Sequence, residues 1–311
     1  MTIRRVRTMG CDPTVPHCRG PIRTPVHSQP VPADNTPADD PRPAYPPPRH
    51  AMRLLSLETE QFEDGNIRGW LPVNNTIATP TGGPRLAAVA MLVDALGGLR
   101  SISAAAPDWA FTADMSIHLL PTGPMKQLQA DLYVRRRGRR TLVIEAELSA
   151  DGVRPAGLAI MTFAVVPRPE HLVNITIDMT PGRRSMSTLP PDQPEAGPYF
   201  EELAVVVERP GHVVIELRPE VANTVGALHG AVHTAVIDAA SVSLGQEFLG
   251  PDAETVDMHL AFLDLATKGP MRAVATSVGE SIPGQDRLTL SVEVFDAEDR
   301  LCSYATTEVV A

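Results

Sequence analysis

The chain has 311 residues, 43% hydrophobic and 21% charged, enough to bury a core in one large or two ordinary domains. These proportions exclude a wholly disordered chain, and three cysteines are too few for a disulfide scaffold. Of the net charge of −10, residues 1–50 contribute seven basic and four acidic groups; the other 261 residues hold 20 basic against 33 acidic side chains, which excludes a nucleic-acid-binding body.

Residues 1–51 read as a disordered tail. Twelve of the 31 prolines fall in residues 1–50, Tyr45 is the one aromatic there, and no apolar run offsets the entropy of ordering. Behind Arg4, Arg5 and Arg7 there is no apolar stretch of a signal peptide, and no charge-free apolar window of about 18 residues predicts a membrane span. With Cys11 and Cys18 in the tail and Cys302 far away, a reducing, cytoplasmic compartment is the expectation. Met52 opens the globular sequence and is an alternative start of translation.

From Met52 onward the chain repeats itself. GGPRLAAVAMLVDA (82–95) corresponds to GALHGAVHTAVIDA (226–239) at an offset of 144. TADM (112–115) follows as TVDM (255–258), GPM (123–125) as GPM (269–271), and Glu147 as Glu293, in the same order and at nearly the same spacing. The expectation is one unit over 52–168, a proline-rich surface linker over 169–198 in which VNITI forms an extra strand, and a second unit over 199–311.

Each unit shares one pattern. A strand-like opening (LAVVVERPGHVVIEL in the second) leads through a glycine turn to one helix, Pro84–Ser103 or His229–Gln246. Alternating or β-branched stretches then follow, in the first unit FTADMSIHLL, LQADLYVRR, RTLVIEAELSA and GLAIMTFAVV. The predicted class is α+β, with four or five antiparallel strands per unit. Both helices are apolar nearly all round, so each must be enclosed, and a sheet wrapped around a central helix encloses it.

Four features carry chemistry. Asp94 and Asp238 are the ionisable groups in the middle of these helices, and a buried carboxylate with a raised pKa suits a general base. Asn223 and His229-Gly230 stand at the start of the second helix, where unsatisfied backbone amides can hold an oxyanion. His229 and Asp238 are nine residues apart, about 13 Å along a helix and roughly on opposite faces, so a site using His229 must draw its aspartate from the other unit. Arg135, Arg136, Arg137, Arg139 and Arg140 form a hairpin tip that reads as a solvated turn or a cradle for phosphates; the matching turn GESIPGQDR is not basic. His229 and His233 are an i, i+4 pair with no third ligand and no HExxH glutamate, so no metal is expected.

Asn223-x5-His229-Gly230-x7-Asp238, followed by Thr255-x-Asp257-Met258, resembles the hot-dog acyl-CoA thioesterases of the phenylacetate-pathway (PaaI-like) branch; RRRGRRTLVIEAEL is similar to that family's third and fourth strands. The chain departs from the pattern at Ala231, where the family has a second glycine, and at Thr79, Arg85 and Leu86, which stand in the first unit for Asn223, His229 and Gly230. The resemblance implies a tandem double hot-dog, an intramolecular pseudo-dimer with its sites between the units. An intact site would join Asn223, His229 and Gly230 to Asp94 and Thr112, and a degraded one would join Asp238 and Thr255 to Arg85. It implies hydrolysis of an acyl-CoA with no resident cofactor, coenzyme A entering as part of the substrate with its phosphates near Arg135–Arg140. Only 13 aromatic residues occur in the chain, which favours an aliphatic acyl group. The partner expected is this small molecule, and a homo-oligomer of such chains is compatible with it. The alternatives are a non-catalytic acyl-CoA-binding protein and a hot-dog hydratase, although the His-Phe-Pro and Asp-x4-His signatures of hydratase branches are absent from residues 52–311.

Overall fold

The computed structural model describes residues 45–170, 178–279 and 284–311. The tail up to residue 44 with Cys11 and Cys18, the VNITI segment and part of the GESIPGQDR turn lie outside the described residues.

A hairpin of β1 (Leu57–Gln61) and β2 (Ile67–Pro72) precedes helix α1 (Leu86–Ala105). Four long strands follow: β3 (Trp109–Leu119), β4 (Gln127–Arg137), β5 (Thr141–Ala150) and β6 (Arg154–Val166). Beyond the linker strand β7 (Gly182–Ser187) and the short helix α2 (Tyr199–Glu202), the pattern recurs. Its hairpin is β8 (Val206–Arg209) and β9 (His212–Ile215), its helix α3 (Gly230–Leu249), and its long strands β10 (Glu254–Phe262), β11 (Met271–Ser277), β12 (Arg287–Phe295) and β13 (Leu301–Val310).

These strands make one antiparallel sheet in the order β7-β1-β2-β4-β5-β6-β3-β10-β13-β12-β11-β9-β8. Its two halves meet where β3 pairs with β10, in a register that sets Asp257 opposite His118 and His259 opposite Ser116. α1 packs on β2 through β6 and α3 on β8 through β13. In both helices the apolar side chains on all faces are buried, from Leu86 to Leu96 and from Ala231 to Val242, as helices enclosed by a sheet require. Among the described residues α1 is the one helix long and apolar enough to cross a membrane, and its burial under the sheet accounts for that composition.

Four expectations shift. The helices begin one or two residues later than predicted, because Arg85 and His229 are still extended and give their N–H groups to the carbonyls of Ile77 and Val221. Each half of the sheet has six strands besides β7, where four or five were expected: Gly211, at φ +76° after Pro210, turns the opening LAVVVERPGHVVIEL into the β8–β9 hairpin. The linker supplies β7, which pairs along β1 and lays Arg183 over the Trp70 ring at 4.0 Å. Residues 45–51, read as the end of the tail, are packed, with His50 and Ala51 fully buried.

Candidate active site between two helices

α1 and α3 lie side by side and antiparallel. The start of each reaches the middle of the other: Ala87 N–H donates to Asp238 Oδ2 at 3.1 Å, and a Cβ built on Gly230 would stand 3.1 Å from Asp94 Oδ2. The arrangement pairs each mid-helix aspartate with the positive end of the opposite helix dipole. Asp94 and His229, 135 positions apart in the chain, are thereby brought together, as the helical spacing required.

Asp94 is held in a mostly buried pocket, its side chain 11% exposed. Burial raises its pKa from 3.8 to about 6; the Ala231 N–H and the Thr112 hydroxyl, which donates to Oδ1 at 3.4 Å, oppose the rise. His229 Nδ1 lies 3.6 Å from Asp94 Oδ2 and accepts the Ala231 N–H at 3.2 Å. Burial lowers His229 to about 4, so near neutrality it is an uncharged imidazole and the contact with Asp94 is not an ion pair. Nδ1 accepts, which puts the ring proton on Nε2. Gly230, the first residue of α3, has an N–H with no hydrogen-bond partner among the described residues. The site thus combines a carboxyl that titrates near 6, a hydroxyl on it, a neutral imidazole and a free helix-start amide.

Asn223 sits at the turn before α3. Its Oδ1 accepts the N–H groups of Val225 and Ala227 at 3.0 and 3.1 Å, closing the turn, while its amide nitrogen has no partner among the described residues. The corresponding Thr79 closes its own turn with a hydroxyl on the Gly83 carbonyl at 3.2 Å.

Around Asp238 the chemistry differs. Burial raises its pKa, and the nearby charge of Arg85 is the largest opposing influence. Arg85 caps α1 and stacks over the Phe200 ring, 4.6 Å from its centroid. Asp238 Oδ1 and Thr255 Oγ1 are buried without hydrogen-bond partners among the described residues. Arginine and phenylalanine occupy the ground held on the other side by His229 and its surroundings.

The arginine turn is partly spent on internal pairs. Arg135 is bound by Glu145 and Glu147, and Arg137 by Asp108 and the Ala104 carbonyl. Arg136, Arg139 and Arg140 are exposed, with no partner among the described residues. Ala104 is ten residues beyond Asp94 on α1, which sets the turn about 15 Å along the helix from the carboxyl. His233, the i+4 partner of His229, is bonded to Ser303 Oγ at 3.0 Å.

Sequence reading missed Tyr45 and His50. The His50 ring packs edge-on against His229, with centroids 5.6 Å apart, and Tyr45 packs on His50. The available signal was a lone tyrosine and a histidine two residues before Met52, and the prolines around them masked it.

No family model matches this chain, and no curated protein matches its sequence. Among solved structures it is similar to a protein described as an oleoyl thioesterase from Lactobacillus plantarum, at 11% identity over 83% of this chain and 97% of that one, TM-score 0.53. It is also similar to a 12:0-ACP thioesterase from Umbellularia californica, at 8% identity over 78% and 93%, TM-score 0.51. At such identities the likeness is one of fold, and with the helix-enclosing antiparallel sheet it gives this chain the hot-dog fold.

Proposed function

We propose that the chain is a thioester hydrolase acting on an acyl-CoA, built from two fused hot-dog units with one working site between them. The carrying observation is Asp94: a carboxyl raised to about 6 by burial, hydrogen-bonded by Thr112 and facing His229 and the first amides of a helix other than its own. Duplication is supported by the element order, since β1-β2-β4-β5-β6-β3 and β8-β9-β11-β12-β13-β10 are the same arrangement met from opposite edges. It is also supported by the β3–β10 register, in which Ser116 faces His259, its own counterpart at the TADM/TVDM offset of 143. The boundaries drawn from the sequence serve as the units, with the first extended back to residue 45. The order Asn223, His229-Gly230, Asp238 supports kinship with the PaaI-like branch.

In the proposed reaction the acyl carbonyl oxygen lies at the Gly230 N–H and the Asn223 amide, which stabilise the charge that develops on it. Asp94 takes a proton from a water held by Thr112, and the hydroxide adds to the carbonyl carbon. The tetrahedral intermediate collapses, the carbon–sulfur bond breaks, and the proton on Asp94 goes to the departing thiolate, giving a carboxylic acid and the free thiol. Neutral His229 orients the helix start through the Ala231 N–H. Coenzyme A phosphates would meet Arg136, Arg139 and Arg140, with Arg135 and Arg137 shaping the turn. The site around Asp238, Thr255 and Arg85 is inactive in this scheme.

The test is thiol release from acyl-CoAs of graded chain length, with the same acyl groups on acyl carrier protein alongside, because one structural neighbour is named for a 12:0-ACP substrate. Asp94→Asn should lower kcat about 10²- to 10⁴-fold and Asp238→Asn little. Equal losses, or loss in Asp238→Asn alone, would overturn the one-site reading. Tight binding without turnover by the natural chain would identify a binding protein, and a new enoyl absorbance without thiol a hydratase.

A further inference from the structure

The segment before the first hairpin is stitched to the half of the sheet that carries His229. Ala51 N–H donates to the Glu220 carbonyl at 2.8 Å, and His50 Nε2 lies 2.9 Å from the carbonyl of Ala222, the residue before Asn223. Val221, between these two, accepts the His229 N–H at 2.9 Å. His50 Nδ1 accepts from Met52 N–H at 3.2 Å, so its proton is on Nε2 and is donated to Ala222. The Tyr45 hydroxyl, 3.3 Å from that same nitrogen, then meets it as an acceptor. One short stretch thus holds the backbone at residues 220 and 222, just before the Asn223–His229 turn, and packs a ring on His229 itself.

The equivalent position on the other side lacks these side chains. Tyr199 N–H takes the Thr76 carbonyl at 2.8 Å as Ala51 takes that of Glu220, and Thr76 and Glu220 are 144 residues apart, the offset of the repeat. Pro198 therefore falls where His50 does and has neither a ring donor nor an N–H, and Phe200 beyond it stacks with Arg85. The stitching of main chain is common to both sides. The histidine is present only where the imidazole, free amide and carboxyl come together, so its presence is not explained by the fold alone.

We propose that Tyr45–His50 is a positioning strap for the active site, in which His50 fixes the orientation of His229 and of the Asn223 turn and Tyr45 backs His50. Its kinetic part rests on the thioesterase reading. Burial lowers His50 to about 4, which keeps it a neutral donor to Ala222 across the working range, and burial followed by the charge of Asp94 raises Tyr45, which keeps its hydroxyl protonated beside that carboxyl.

The experiment compares His50→Ala, His50→Gln and Tyr45→Phe in the full 311-residue chain. Three quantities are read: melting temperature, kcat and KM for butyryl-, octanoyl- and palmitoyl-CoA, and the imidazole nitrogen resonances of His229. His50→Ala should lower kcat about tenfold or more with KM changed less than about twofold, since misplaced catalytic groups cost rate rather than binding. The His229 resonances should move in the same variant. His50→Gln, whose amide can still donate to Ala222, should recover most of kcat, and Tyr45→Phe should give a smaller change of the same kind. Unchanged kcat and unmoved His229 resonances in His50→Ala, or a lower melting temperature alone, would overturn the strap. If the natural chain hydrolyses none of the three thioesters, the functional reading fails for these substrates. The resonances then judge the strap by themselves: displaced in His50→Ala they uphold it, unmoved they refute it.

Discussion

Asp94 carries two opposing demands. Its folded pKa, about 6, lies above the ordinary 3.8 because burial disfavours the charged form. For such a carboxyl the native state is favoured while the group is protonated in both states, and stability is lost as pH rises through the folded value. Asp94→Asn should therefore be more stable than the natural chain above pH 6, by on the order of 1–3 kcal/mol, with the advantage gone below about pH 4. Denaturant melts at pH 4 and pH 8 measure this. Catalysis runs the other way: a general base works ionised, so kcat/KM should rise with pH through about 6 and then level off. A variant that gains stability where it loses activity marks a group retained for function, and no gain at pH 8 would show that the carboxyl is not strained by burial.

At the scale of elements, the start of α3 decides what the site can hold. Gly230 has ordinary helical geometry, so its lack of a side chain matters through space and not through φ: a Cβ would stand 3.1 Å from Asp94 Oδ2. Gly230→Ala should leave stability within about 1 kcal/mol, because alanine is the better helix former. It should cut kcat about 100-fold by pushing Asp94 out of line and covering the free amide. Thermal melts and thiol release on one preparation separate the two effects. The opposite helix start shows what stands there without these residues: Arg85 is the N-cap residue and stacks on Phe200, and Leu86 brings a buried side chain to the position of Gly230.

Across the molecule, charge limits how an anionic substrate is met. The 261 residues beyond residue 50 hold 33 acidic against 20 basic side chains, so phosphate groups need a local patch. Arg135 and Arg137 are spent on Glu145, Glu147 and Asp108, which leaves Arg136, Arg139 and Arg140. Replacing these three with alanine should raise KM for an acyl-CoA about fivefold at low salt with kcat kept, and the difference should shrink as salt screens the pairing. A KM that does not respond at any ionic strength would place the phosphates elsewhere.

Much of this was legible in the residues. Apolar helices interrupted by one aspartate each, a repeat offset of 144, and alternating strands determined an antiparallel sheet enclosing two helices, because burial on every helix face leaves few other ways to hide them. The nine-residue spacing of His229 and Asp238 already required that His229 meet the other aspartate, because helix geometry is local and fixed. What depends on contacts between distant segments was decided only by tertiary structure. The pairing of β7 along β1, the arginines consumed by neighbouring carboxylates, and the packing of Tyr45 and His50 onto His229 have no periodicity to announce them. A proline-rich stretch looks unable to order itself, and residues 45–51 do so because the partner surface at residues 220–222, some 170 positions away, supplies the burial and the hydrogen-bond acceptors that their own sequence lacks.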